Sequence, residues 1–145
     1  MGGCGGRRGR GFGPDKCSFA HNALCGIIVA VSWNAYFHPK FEAEVDELSD
    51  AVQDALATAL SPLREFGPSL GRPDVDTLNG SKYANMKELR FRADGGVWRV
   101  AFAFNPRRNA ILLVAADKSG VSEAKFYKRL IEKADSRYKE HLDDL

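Results

Sequence analysis

Two arginines, Arg90 and Arg99, carry the strongest chemical signal in the sequence. They lie in NMKELRFRADGGVWRVAFAFNPRRNAILLVAADK, from Asn85 to Lys118. Met86–Ala93 alternates, with Leu89 and Phe91 on one face and Glu88, Arg90 and Arg92 on the other. Val97–Phe104 alternates too, setting Trp98, Val100, Phe102 and Phe104 against Arg99, Ala101 and Ala103. Between the two runs, Asp94-Gly95 is a hairpin signal, because a type I′ turn needs φ > 0 at both central positions. Counting outward pairs Ala93 with Gly96, and hence Arg90 with Arg99. A longer loop over Ala93–Gly96 gives the same register. Like charges directly opposed across strands repel, and an anion landing between them is the simplest reason to keep such a pair.

Arginine, lysine and tyrosine suit a phosphoryl transfer that needs charge stabilisation more than a strong base. When an RNA 2′-hydroxyl attacks its own 3′-phosphate, negative charge builds on the equatorial oxygens and the 5′-oxygen leaves. Guanidinium groups at Arg90 and Arg99 would hold that charge through bidentate contacts. Lys87, Lys118 or Tyr127 would move protons if like-charge crowding lowers their pKa values. Arg92, Lys82, Arg107, Arg108 and Lys128 are the further cations expected along an RNA backbone. The domain shows no histidine pair, no carboxylate cluster with metal spacing, no GxSxG and no P-loop. No metal or cofactor is expected. With no strong base in view, much of the rate must come from holding the 2′-oxygen in line with its leaving group.

The elements that must position these groups read off in order. SWNAYF, Ser32–Phe37, is a short strand. His38-Pro39 opens a helix with Phe41, Val45 and Leu48 as its apolar stripe, proline standing at a first-turn position. Ser49 caps a second helix, Asp50–Phe66, carrying Val52, Leu56, Leu60 and Leu63, and Gly67-Pro68 stops it. Residues 67–85 read as a long irregular link rich in Gly, Pro, Asp and Asn. Asn105–Asn109 is the turn after the second meander strand, with Arg107 and Arg108 at its tip. Ala110–Ala116 is a nearly unbroken apolar run, hence a strand covered on both faces. A final helix, about Ser122–Leu142, aligns Tyr127, Leu130, Ile131, Ala134 and Tyr138. The order β-α-α-β-β-β-α describes a small α+β domain with a mainly antiparallel sheet.

Totals agree with that division. The 145 residues suffice for one ordinary domain with a core. Net charge is only +2, but Lys40–Leu78 holds 3 basic against 9 acidic residues while Asn79–Lys139 holds 14 against 6. Acidic helices and a basic working face point to nucleic acid. No run approaches the ~18 apolar residues of a membrane span. Three cysteines, all before residue 26, make no disulfide framework, so a reducing, cytoplasmic setting is expected. Residues 1–13 are Gly/Arg-rich and expected to be disordered. The composition breaks near Val29–Trp33, so residues 1–31 are read as an over-long gene start, with an RGG-like RNA-binding tail as the alternative. Cys17, His21 and Cys25 raise zinc only weakly, with three ligands at unusual spacing.

From Trp33 to about Leu142 the chain resembles bacterial toxins of the RelE/ParE superfamily, most closely the phage-related HigB-type branch. The words that carry the likeness are FHPKFEAEVDEL, AVQDAL, LREFGPSLGRPDVDTLNGSKYANMKELRF, GGVWRVAFAFNPRRNAILLVAADKSG and FYKRLI. The resemblance implies a compact RelE-like domain over residues 32–145, with two helices on one side of its sheet. It also implies a toxin that cuts mRNA in the ribosomal decoding site, and a paired helix-turn-helix antitoxin of the HigA kind. In that family's pattern Arg90 matches the basic residue of the strand after the helices and Arg99 the arginine of the next strand. Lys118 falls near the basic position after the last strand and Tyr127 near a C-terminal aromatic. A ParE-type gyrase poison shares the fold without RNA cleavage. A non-catalytic phage-derived RNA- or protein-binding module is the other alternative.

Overall fold

In a computed structural model the described residues are 33–145. They form β1 (Ala35–Phe37), α1 (Pro39–Val45), α2 (Asp50–Phe66), β2 (Val75–Thr77), β3 (Met86–Ala93), β4 (Gly96–Phe104), β5 (Ala110–Asp117) and α3 (Glu123–Asp143). The expectations for residues 1–31 and for a zinc site there lie outside the described residues. The five strands make one sheet in the order β1-β5-β4-β3-β2, antiparallel except where β1 runs parallel to β5. The α+β class and the meander follow the sequence reading. β2 is an addition: within the link read as irregular, Val75, Asp76 and Thr77 pair with Leu89, Glu88 and Lys87.

Hydrogen-bonded caps fix where the helices start. Ser49 Oγ accepts from Val52 N at 3.2 Å, and Ser122 Oγ accepts from Lys125 N at 3.3 Å. His38 caps α1 with a ring nitrogen: Nδ1 accepts from Lys40 N at 3.1 Å. Gly67 ends α2 at φ +57°, and a Cβ there would stand 2.4 Å from the Trp33 indole, so both backbone conformation and space require glycine.

Both faces of the sheet are covered. Met86, Ala101, Ala103, Ile111 and Leu113 pack with Phe126, Leu130, Ala134 and Tyr138 of α3. One residue out of phase, Leu89, Val100, Phe102 and Leu112 are also buried, on the face that α2 covers with Val52, Leu56, Leu60 and Leu63. Leu56 is fully buried, so Leu56→Ala should cost ~2–5 kcal/mol. Arg137 ties the layers together: its buried guanidinium donates to Leu113 O at 2.8 Å and to Glu44 Oε1 at 2.9 Å, joining α3 to β5 and α1.

Candidate functional site

Pleating puts Glu88, Arg90 and Arg92 of β3 on the sheet face shared with Arg99, Ala101 and Ala103 of β4. The ladder pairs Arg90 with Arg99, Glu88 with Ala101 and Ala93 with Gly96, as the turn had dictated. The small side chains of Ala101 and Ala103 leave room above them. α3 runs over both, its first turns bringing Tyr127 onto Glu88 opposite Ala101 and its later turns bringing Tyr138 to Phe104 O beside Ala103.

The anion between the arginines belongs to the chain itself. Glu88 is 3% exposed. Its Oε2 accepts from Arg90 Nε at 3.1 Å and from Arg90 Nη2 at 2.9 Å. Its Oε1 accepts from the Tyr127 hydroxyl at 2.9 Å and stands 3.9 Å from Arg99 Nε. Arg99 Nη1 donates to Trp98 O at 3.0 Å, whereas its buried Nε has no acceptor. On the outer side of Arg90, β2 contributes Asp76, 3.4 Å from Arg90 Nη2 and 2.9 Å from Arg72 Nη2. Two guanidinium groups and a phenol thus converge on a position held by one buried carboxylate.

Its hydrogen bonds to Glu88 hold Arg90 above the ordinary arginine pKa, despite partial burial. Tyr127 is pushed above the ordinary phenol pKa, first by burial and then by its bond to Glu88. This corrects the expectation that crowding lowers it: Tyr127 stays protonated at neutral pH and is a donor, not a base. Arg72 lowers the Asp76 carboxyl, with help from the Thr77 backbone.

Other sequence candidates divide by position. Lys118 joins the cluster: its Nζ lies 5.6 Å from the Tyr127 ring centroid and 3.7 Å from Glu123 Oε2. Its loop is pinned by Asp117, which accepts from Val97 N at 3.0 Å and Ser119 N at 2.9 Å. Arg92 and Lys128 are exposed at the rim, two residues from Arg90 and one from Tyr127. Lys87 does not join. It pairs with Phe102 and Thr77, one residue out of phase with Glu88, and so belongs to the opposite sheet face. Arg107 and Arg108 sit in the β4–β5 turn, beyond the far end of β4 and about 17 Å of strand from Arg99. There Asn105 Oδ1 holds Arg107 N and Asn109 N, each at 2.9 Å, and Arg108 stacks on Trp33 at 4.9 Å. Lys82 is fixed by its backbone N–H to Asp135, roughly 12 Å along α3 from Tyr127. These three form no part of the cluster. Sequence reasoning passed over Glu88, Asp76 and Arg72. For Glu88 a signal was present, since it shares the face of Arg90 two residues away.

Fold and site together define a small α+β protein with a cationic, anion-holding sheet face. The chain matches the family described as phage derived protein Gp49-like (DUF891) over residues 43–139. It is 39% identical over 114 residues to a Mycobacterium tuberculosis protein named "Putative toxin HigB2", covering 78% of this chain and 56% of that protein. It is 46% identical over 88 residues to "Putative toxin HigB3" of the same organism, covering 59% of this chain and 75% of that protein. The chain therefore spans little more than half of the first relative. It belongs to the Gp49-like family and, with it, to the HigB-type branch of the RelE superfamily. None of the described helices is long and apolar enough to cross a membrane.

Proposed function

We propose that the chain is the toxin of a type II toxin-antitoxin pair, an endoribonuclease that cuts mRNA held on the ribosome. The observation that carries this reading is the convergence of Arg90, Arg99 and Tyr127 on one anion position. The scissile phosphate takes that position. Its non-bridging oxygens meet the two guanidinium groups, including the Arg99 Nε that lacks an acceptor. The 2′-oxygen attacks phosphorus, the bond to the 5′-oxygen breaks, and a 2′,3′-cyclic phosphate and a 5′-hydroxyl result. Glu88, released from Arg90, is the carboxylate that takes the 2′-hydroxyl proton, and the protonated Tyr127 gives one to the leaving oxygen, with Lys118 beside it. The ribosome supplies alignment, which can be worth ~7–11 kcal/mol. The reaction is proposed to need no metal ion, since the attack, the charge on the non-bridging oxygens and the departure of the 5′-oxygen are all assigned to side chains. The expected partner is a HigA-like helix-turn-helix antitoxin that covers the basic face.

Expression of residues 33–145 alone tests the biological half of this reading. Growth arrest with loss of protein synthesis, relieved by the antitoxin encoded beside it, is the expected result. Unimpaired growth with soluble, folded protein present would overturn it.

A further inference from the structure

The same anion position carries a second meaning. Glu88 presents two oxygens to a cage of donors built for more. Oε2 takes both Arg90 contacts and Oε1 takes Tyr127, leaving Arg99 Nε 3.9 Å away, buried and without an acceptor. A buried guanidinium nitrogen with no partner is costly, and natural structures rarely leave one. The carboxylate is therefore an incomplete occupant. A phosphate, with its oxygens spread tetrahedrally, reaches Arg90, Arg99 and Tyr127 together, as planar Glu88 does not.

We propose that Glu88 is an internal stand-in for a phosphate group, and that phosphate anions enter between Arg90 and Arg99 only by displacing it. The inference rests on the reading above solely for which phosphate is taken, that of RNA. The arginines meet with their charge partly neutralised, so free phosphates and nucleotides compete at a disadvantage. An RNA already held by the ribosome does not need the full attraction of the pair. The device makes the site selective through what it withholds. Asp76 and Arg72 at the outer edge of Arg90 show where the guanidinium is braced while Glu88 moves.

The test is a titration of the full chain with inorganic phosphate, followed by NMR, in wild type, Glu88→Gln and Arg99→Ala. Glutamine keeps the length of the side chain and can still accept from Tyr127, but gives up the charge that holds Arg90. If the competent, unblocked state is a minor one in wild type, freeing it tightens apparent affinity in proportion, here by at least about tenfold in Glu88→Gln. Arg99→Ala should abolish binding. In wild type carrying carboxyl-labelled glutamate, the Glu88 carboxyl resonance should move as phosphate is added, which needs no variant to fold. Affinity unchanged or weakened in Glu88→Gln, or a Glu88 resonance that stays still at saturation, would overturn the proposal. Messenger cleavage is scored separately. Tighter phosphate binding by Glu88→Gln beside a wild type that never cuts RNA would remove the nuclease reading and leave the stand-in intact.

Discussion

Tyr127 of the C-terminal helix donates its hydroxyl to Glu88 of the third strand across 2.9 Å, so the site closes only when α3 is docked. Tyr127→Phe should therefore have two effects. Leaving Glu88 Oε1 without a donor should lower stability by about 1 kcal/mol, read from urea melts. Losing the proton donor should slow cleavage of ribosome-bound mRNA by about 10²-fold or more, far beyond what that small loss of stability explains. A folded variant cutting at the wild-type rate would take Tyr127 out of the chemistry.

Arg90 and Arg99 should differ in what they do for the fold. Reading two opposed arginines alone, one expects either alanine variant to be neutral or slightly stabilising. Glu88 changes that. Arg90→Ala strands a buried carboxylate that had two donors on it, and breaking a buried ion pair costs up to ~3–5 kcal/mol, less here because Arg90 is one-third exposed. Arg99→Ala removes a side chain whose Nε has no hydrogen-bond acceptor and stands 3.9 Å from Glu88, so it should cost less. Adding Glu88→Gln to Arg90→Ala should restore most of the stability. Equal losses in the two single variants, by denaturant titration, would contradict this ordering.

Acid should loosen the clasp between α1 and α3. Burial lowers the pKa of His38 below its ordinary 6.5, against the opposing pull of Glu140. The ring is bonded as a neutral group: Nδ1 accepts from Lys40 N at 3.1 Å and Nε2 faces Glu140 Oε1 at 3.1 Å. Protonating Nδ1 ends the cap. Because the folded pKa is depressed, the unfolded chain takes up the proton first, so this stability is full above about pH 6.5 and is lost as pH falls through the folded value. His141, lowered chiefly by burial, acts in the same direction. His38→Asn, which keeps a capping oxygen, should flatten the fall in stability as pH drops below about 6.5 without removing it. Stability that rises on acidification through this window would contradict the assignment.

Much of this arrangement was legible in the residues. Asp94-Gly95 fixes the hairpin, the hairpin fixes the register, and the register places Arg90 opposite Arg99. What failed did so for physical reasons. β2 is three residues at a sheet edge, set among Gly71, Pro73 and Asn79, too short to show alternation. Alternation placed Glu88 on the face of Arg90, but its burial depends on α3 descending over β3, which the local sequence does not show. Lys87 was recoverable: alternation had already set Glu88 and Arg90 on one face and Leu89 on the other, with Lys87 in phase with Leu89. Arg107 and Arg108, expected along an RNA backbone, lie the length of β4 from Arg99, outside the cluster itself.

The most direct measurement maps the RNA ends made on programmed ribosomes by purified wild type and by Arg99→Ala, with folding of both verified. Wild type should leave a 2′,3′-cyclic phosphate or its 3′-phosphate product and a 5′-hydroxyl, insensitive to chelation once ribosomes are kept intact. Arg99→Ala should cut ~10²–10³-fold more slowly, the usual cost of losing one preorganised donor to a developing oxyanion. Ends carrying a 5′-phosphate, or a folded Arg99→Ala that cuts at the wild-type rate, would contradict the claim that RNA is cleaved between these two arginines.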